Sequence, residues 1–112
     1  MSYHGDNSVE VWCRWHTNGG ADIDDSYQVT SLDDYGTGYS FVNFSTDFEN
    51  SEYAVVSTGQ EDSGGGGRVV NPQGPQTSRC KFETRNMSNS TRDFIDIHCI
   101  ICGDHYLSLI HI

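Results

Sequence analysis

Positive charge is scarce in this sequence. The 112 residues hold 6 Lys and Arg against 16 Asp and Glu, which gives a formal net charge of −10. Because nucleic acids and anionic membranes bind basic surfaces, this balance argues against both as partners. Long apolar runs are missing as well, and no segment approaches the roughly 18 residues of a membrane-spanning helix. We therefore expect no membrane insertion.

The N-terminal residues lack the basic region and the apolar segment of a secretory signal peptide. The 4 cysteines, in a chain without such a signal, favour a reducing compartment, where disulfide frameworks are rare. Helical periodicity is missing too, since no stretch of about 10 residues repeats apolar side chains at helical spacing. The sequence instead alternates apolar and polar residues, as strands with one buried face do.

Near the start of the chain, Cys13 and Trp15 share one face of this alternation, while Trp12 and Arg14 take the other. Strands are predicted at residues 9–16, 27–32, 39–44, 53–57, 79–85 and 94–102. The chain is short enough for one core only, so residues 1–106 are predicted to form a single domain. The expected fold class is all-β, an antiparallel β-sandwich of about seven strands.

The predicted strand at residues 79–85 alternates cleanly. Its even-numbered residues are the ones expected to face inward, which places Lys81, Glu83 and Arg85 outward.

Residues 60–76 break the alternation, since they hold five glycines, both prolines and few apolar residues. This composition predicts one long loop, and a loop of this length in a compact domain is typically functional or mobile. Binding residues often lie on loops carried by a rigid β scaffold. The polar side chains Arg68, Asn71 and Gln73 are therefore candidate binding residues. The alternative is a variable surface loop that contacts nothing.

Residues 107–112 match the peptide obtained by translating the transposase end sequence that serves as an adapter in DNA library preparation. We therefore interpret these residues as an artificial or disordered tail on a translated environmental sequence. A genuine apolar tail is the alternative.

The pair Cys99 and Cys102, with His98 before it, has the spacing of a zinc motif. Isoleucines surround the pair, however, and a strand would point its two thiols to opposite faces. A structural zinc site also needs further ligands nearby, whereas Cys13 and Cys80 are isolated in the sequence. We predict buried core cysteines and no metal site, with a disulfide or a metal as the alternatives.

Several stretches in order resemble the C-terminal domain of tail-fibre-like proteins of marine tailed phages, of the cyanophage type. The most specific is the turn at residues 34–38, in which Asp34, Gly36 and Gly38 lead into the strand at 41–44. The others lie at residues 11–15, 23–32, 53–56 and 101–104. The resemblance implies a virion component, assembled in the host cytoplasm. It also implies a homotrimer at the fibre tip that binds a host surface glycan or protein receptor.

Two outward residues of the first predicted strand, Trp12 and Arg14, are candidates for the subunit interface. The argument applies to Trp12 in particular, because large apolar side chains on the outer face of a small domain often mark interfaces. Tyr35 is a candidate binding residue, since an exposed aromatic ring can stack on a sugar. Asp34 is expected to stabilise its own turn through a hydrogen bond to the backbone. An acidic calcium site is the alternative for this region.

No catalytic constellation is present, because nothing in the sequence fixes a nucleophile beside a base or two carboxylates at working distance. No enzyme activity and no cofactor are therefore expected. Two other functions remain open from the sequence. One is a head or neck decoration domain of a phage, and the other is a carbohydrate-binding accessory domain.

Overall fold

The computed structural model describes residues 9–61, 69–86, 88 and 90–103. This part of the chain contains eight strands and no helix. The strands are β1 (Val9–His16), β2 (Asp22–Tyr27), β3 (Val29–Asp34), β4 (Tyr39–Phe44), β5 (Ala54–Glu61), β6 (Val69–Gln73), β7 (Arg79–Arg85) and β8 (Phe94–Cys102).

The strands form two four-stranded sheets, in the orders β2-β1-β8-β5 and β3-β4-β7-β6. Every pairing is antiparallel. The predicted all-β class is therefore confirmed, and the architecture is sandwich-like. We refer to the two sheets, in that order, as the first sheet and the second sheet.

The two sheets share one hydrophobic core. Trp15 of β1 is fully buried, donates a hydrogen bond from Nε1 to Ser40 Oγ at 3.2 Å, and meets the Phe82 ring edge-on at 5.1 Å between centroids. Trp15 belongs to the first sheet, whereas Ser40 and Phe82 belong to the second. The inward residues of β1, β4, β7 and β8 supply most of the remaining cluster. Burial of these side chains is the main contribution to stability.

The cysteine predictions are confirmed as far as burial is concerned. Cys13, Cys80 and Cys99 are buried free thiols in this core. Cys102 is partly exposed and lies an odd number of residues from Cys99, so the two thiols take opposite faces of β8 as expected.

Two predicted strands have wrong bounds: the one at residues 27–32, and the one at 53–57, which corresponds to β5 at Ala54–Glu61. The strand expected at residues 27–32 is interrupted at Gln28, which has a φ of 61°. This left-handed residue separates β2 of the first sheet from β3 of the second, so the chain changes sheets there. The acid-rich β2 was not predicted because Asp is depleted in strands. It is tolerated here at a sheet edge with exposed side chains.

The loop expected at residues 60–76 is also wrong as a continuous element. β5 extends to Glu61, and β6 occupies Val69–Gln73. Pro72 lies within β6, which is the edge strand of the second sheet. Proline cannot complete a central ladder, but an edge strand needs backbone hydrogen bonds on one side only. Residues 62–68 and 104–112 lie outside the described residues.

The turn between β3 and β4 requires glycine at two positions. Gly36 has a φ of 111° and Gly38 a φ of 80°. As expected, Asp34 Oδ1 accepts a hydrogen bond from the Gly36 amide at 3.0 Å. A Cβ on Gly36 would meet nothing within 4 Å, whereas a Cβ on Gly38 would lie 2.8 Å from the Thr84 carbonyl oxygen. Only Gly38 therefore combines positive φ with close packing against another segment.

This difference predicts unequal effects of alanine at the two positions. Gly36→Ala should lower the free energy of unfolding by about 1–2 kcal/mol, the cost of left-handed backbone in an L residue. Gly38→Ala should lower it by roughly 1–3 kcal/mol more, because the added methyl group overlaps backbone. Urea unfolding of both variants measures the difference. Equal losses of unfolding free energy in Gly36→Ala and Gly38→Ala would contradict the crowding at Gly38.

Candidate functional site

Four large side chains from four strands form a row across the outer face of the first sheet. Trp12 of β1 is the register partner of Tyr27 on β2 and of Ile100 on β8. Ile100 in turn lies opposite Val56 on β5. Directly opposed residues of antiparallel strands place their Cβ atoms about 5 Å apart, so the four side chains are neighbours. We call this set, Tyr27, Trp12, Ile100 and Val56, the apolar row.

The apolar row faces solvent. Val56 is 71%, Tyr27 49% and Ile100 46% exposed, and Trp12 is half-buried. Shallow grooves of about 230 and 160 Å³ lie on the two sides of Ile100, the first against Trp12 and the second against Val56. A contiguous exposed apolar patch of this kind is typical of an interaction surface.

A polar row runs beside the apolar row and includes Arg14 and His98, which are register partners. Asp96 joins them: its two carboxylate oxygens accept hydrogen bonds from Arg14 Nε at 2.9 Å and Nη2 at 3.0 Å. His98 Nε2 lies 3.0 Å from Asp96 Oδ2. Burial acts to raise the pKa of Asp96, but the hydrogen bonds and charges of His98 and Arg14 outweigh it and hold that pKa below 3.8. The Arg14 side chain is thus fixed on this face.

The outer face of the second sheet has a different chemistry, because β7 presents basic side chains there. Its even-numbered residues are buried and its odd-numbered ones lie on the outer face, where Arg79, Lys81 and Arg85 are partly exposed but Glu83 is buried by its neighbours. Register partners on β4 complete the surface. We call this set the cationic face: Arg79, Lys81, Glu83 and Arg85 of β7 with Tyr39 and Phe41 of β4.

Aromatic rings hold two of these cations in place. Phe41 is only 8% exposed although it lies outside the core cluster. The Arg79 guanidinium covers its ring at 3.9 Å, and Tyr35 meets its edge at 4.9 Å between centroids. Lys81 Nζ lies 4.8 Å from the Tyr39 ring. Cation–π contacts of this kind contribute about 0.5–1 kcal/mol each and fix the cations against the sheet.

Glu83 is the buried centre of the cationic face, at 6% exposure. Its carboxylate accepts hydrogen bonds from Arg85 Nη2 at 2.9 Å and Gln73 Nε2 at 3.2 Å, and Arg85 Nε lies 2.8 Å away. The Arg85 hydrogen bond lowers the pKa of Glu83 below 4.5, against the opposing effect of burial, and a hydrogen bond with Tyr39 adds to the lowering.

The structure places most of the predicted binding residues on this face. Tyr35 is 61% exposed at the turn between β3 and β4. Asn71 lies opposite Glu83 and Gln73 opposite Lys81, on β6. Arg68 lies outside the described residues. The predicted interface residues Trp12 and Arg14 lie on the outer face of the other sheet, as the alternation of β1 indicated.

Sequence reasoning missed Arg79 and Lys81 as candidate binding residues. A signal was present, since Arg79, Lys81 and Arg85 account for half of the 6 basic residues and share one face of a predicted strand. The contribution of Phe41 had no such signal, because an apolar residue in a strand is normally assigned to the core.

The buried thiols are not nucleophiles at neutral pH. Burial, with the nearby charge of Asp24, raises the pKa of Cys13 to about 12. Burial raises the pKa of Cys80 to about 11 and that of Cys99 well above 9.0. The thiolate is the reactive form, so these cysteines act as core residues. Within the described residues, no three His, Cys, Asp or Glu side chains are grouped to hold a metal ion.

Comparisons with protein-family models, with curated proteins and with solved structures found no match for the chain. No helix in the described part of the chain is long and apolar enough to cross a membrane.

The Glu83 network predicts a pH-dependent stability. Glu83→Gln should lower the free energy of unfolding by about 1–2 kcal/mol at pH 7, because a charge-assisted pair is lost at a buried position. The pKa of Glu83 is lower in the folded state than its ordinary value of 4.5. The carboxylate therefore stabilises the fold above pH 4.5, and this contribution disappears as the pH falls through the lowered pKa.

Urea unfolding of wild type and Glu83→Gln at pH 7 and at successively lower pH measures this difference. Glu52→Gln is the matched control, since it removes the same charge from an exposed side chain. A stability difference for Glu83→Gln that persists unchanged in acid would contradict the assignment.

Proposed function

We propose that this chain is a recognition module of a virion, the distal domain of a phage tail fibre. In this proposal three copies pack together through the outer face of the first sheet. The cationic face and its neighbouring loops then remain free to contact a receptor on the host cell surface. The module is assembled in the host cytoplasm and acts in the tail fibre of the virion.

The observation that carries the proposal is the contrast between the two outer faces. One presents the apolar row across all four strands of its sheet, and the other presents fixed cations, amides and hydroxyls. A contiguous row of partly exposed apolar side chains is unfavourable in water, and a partner that covers it removes this cost. The polar side chains of the cationic face are already held in place by their neighbours, so they lose little freedom when they bind a hydrated ligand. The two faces therefore suit different partners.

A second copy of the chain is the partner we propose for the apolar row. The adjacent polar row carries both signs of charge, since Arg14 lies opposite Asp25 on β2. Such a mixed row can be complementary to another copy of itself, which gives register and specificity to an interface whose affinity comes from apolar burial.

A binding role is preferred to a catalytic one. The carboxylates Asp96 and Glu83 are held in the charged state by cationic partners, and the thiols of Cys13, Cys80 and Cys99 are held protonated by burial. General acid–base catalysis works best with a group whose pKa lies near the working pH. The pKa values of the two carboxylates are lowered and those of the three thiols are raised, so none of the five is moved toward neutral pH.

A carbohydrate-binding accessory domain is the second candidate, and the adjacent rings of Trp12 and Tyr27 favour it. Two aromatic side chains on one sheet face can form a platform for a sugar. This function requires that the apolar row stay open to solvent, so it predicts a monomer. Solution mass separates the two candidates.

The solution mass of the full 112-residue chain can be measured by light scattering on a sizing column with reductant present. We expect three times the 12.5 kDa of a single chain. Trp12→Ser and Ile100→Ser should weaken association at least about 30-fold, because each truncates an anchor worth roughly 2 kcal/mol or more. Tyr35→Ser is the matched control, since it removes an exposed aromatic ring from the opposite face. Circular dichroism verifies that each variant is folded. A folded wild-type monomer would exclude the trimer.

A further inference from the structure

The basic residues of this acidic chain are concentrated on one strand. Of its 6 Lys and Arg, three occupy three of the four outward positions of β7, and Glu83 occupies the fourth. Two acidic side chains share that surface, Asp33 beside Arg79 and Glu83 beside Arg85. The cationic face is therefore locally positive on a molecule whose net charge is −10. That contrast points to a ligand with negative charge.

The cations retain the capacity to bind such a ligand. Asp33 accepts a single hydrogen bond from Arg79, through Nη1 at 3.3 Å, whereas a guanidinium has five N–H donors. The Arg79 side chain is 29% exposed, so part of its fork faces solvent. Lys81 packs over Tyr39 and is partly exposed. Because the rings already restrict both side chains, little further ordering is needed on binding.

The surroundings of these cations suit a saccharide. The exposed ring of Tyr35 stands beside Phe41 and offers an apolar surface with a hydroxyl group at its edge. Asn71 and Gln73 add amide donors and acceptors on the neighbouring strand. Sugar rings combine apolar C–H surfaces with hydroxyl groups, so they match both features.

The spacing of the charges argues against nucleic acid. Alternate residues of a strand are about 7 Å apart, whereas duplex DNA carries one negative charge per ≈ 1.7 Å of its axis. The strongly negative chain also repels a densely charged polymer at long range. A polysaccharide with one carboxylate or sulfate on each or every second sugar carries a sparser charge, which the neighbouring cations Arg79 and Lys81 can match.

We propose that the cationic face binds an acidic polysaccharide, with Arg79 and Lys81 pairing with its carboxylate or sulfate groups and Tyr35 packing against a sugar ring. This proposal rests on the proposed recognition function and names the ligand class of the receptor. Bidentate guanidinium–anion pairing makes Arg79 the main contact.

The test uses the full chain and three acidic polymers as probes: polygalacturonate, alginate and chondroitin sulfate. Isothermal titration should detect binding to at least one, and Lys81→Gln and Arg79→Gln should each weaken it about five- to tenfold. The wild-type chain should bind methyl-esterified polygalacturonate, which is neutral, no more tightly than the two variants bind the acidic polymer. Arg92→Gln is the matched control, because it removes an exposed cation that is not a member of the cationic face and should leave affinity unchanged within about twofold.

Three results would overturn the inference: no binding to any acidic probe, equal binding to the methyl ester, or equal losses in Arg92→Gln and Lys81→Gln. Lys81→Gln keeps the test valid if Arg79→Gln unfolds by uncovering Phe41. The solution mass of the same samples separates this inference from the proposed function. A trimer that binds no acidic polymer contradicts only the ligand class, whereas a monomer that binds through Lys81 contradicts only the trimer.

Discussion

The contact of Trp15 with the second sheet fixes how the two sheets pack against each other. Trp15 donates a hydrogen bond to Ser40 and packs against Phe82, so β1 is held across the core from β4 and β7. Alternation then leaves no choice for the neighbouring residues, because each inward side chain forces the next one outward. Trp12 and Arg14 face solvent for this reason, and both outer faces follow from the packing between the sheets.

Much of the fold was predictable because strong alternation is a local property. β1, β4, β7 and β8 have the predicted bounds, and each carries buried residues at every second position or nearly so. The strands that failed are edge strands. β2 is acid-rich and β6 contains Pro72, and both depend on pairing with one neighbour rather than on their own composition. Tertiary pairing overrides propensity at such positions.

The candidate sites were predictable residue by residue but not as surfaces. The outward direction of Trp12 followed from sequence, whereas its neighbours Tyr27, Ile100 and Val56 come from strands distant in the chain and meet only through the strand order. The same holds for Asn71 and Gln73, which join Lys81 and Glu83 because β6 pairs with β7. Strand order and register are non-local, so no sequence window contains them.

Acrylamide quenching of tryptophan fluorescence in the full chain shows whether copies of the chain cover the apolar row. The chain has two tryptophans, of which Trp15 is fully buried and Trp12 lies on the outer face. Acrylamide is neutral, so the acidic surface does not repel it, and Trp12→Phe assigns the signal. Coverage of the apolar row by other copies predicts that Trp12 is protected from acrylamide at high protein concentration. Trp12 emission that is freely quenched at every concentration would contradict it.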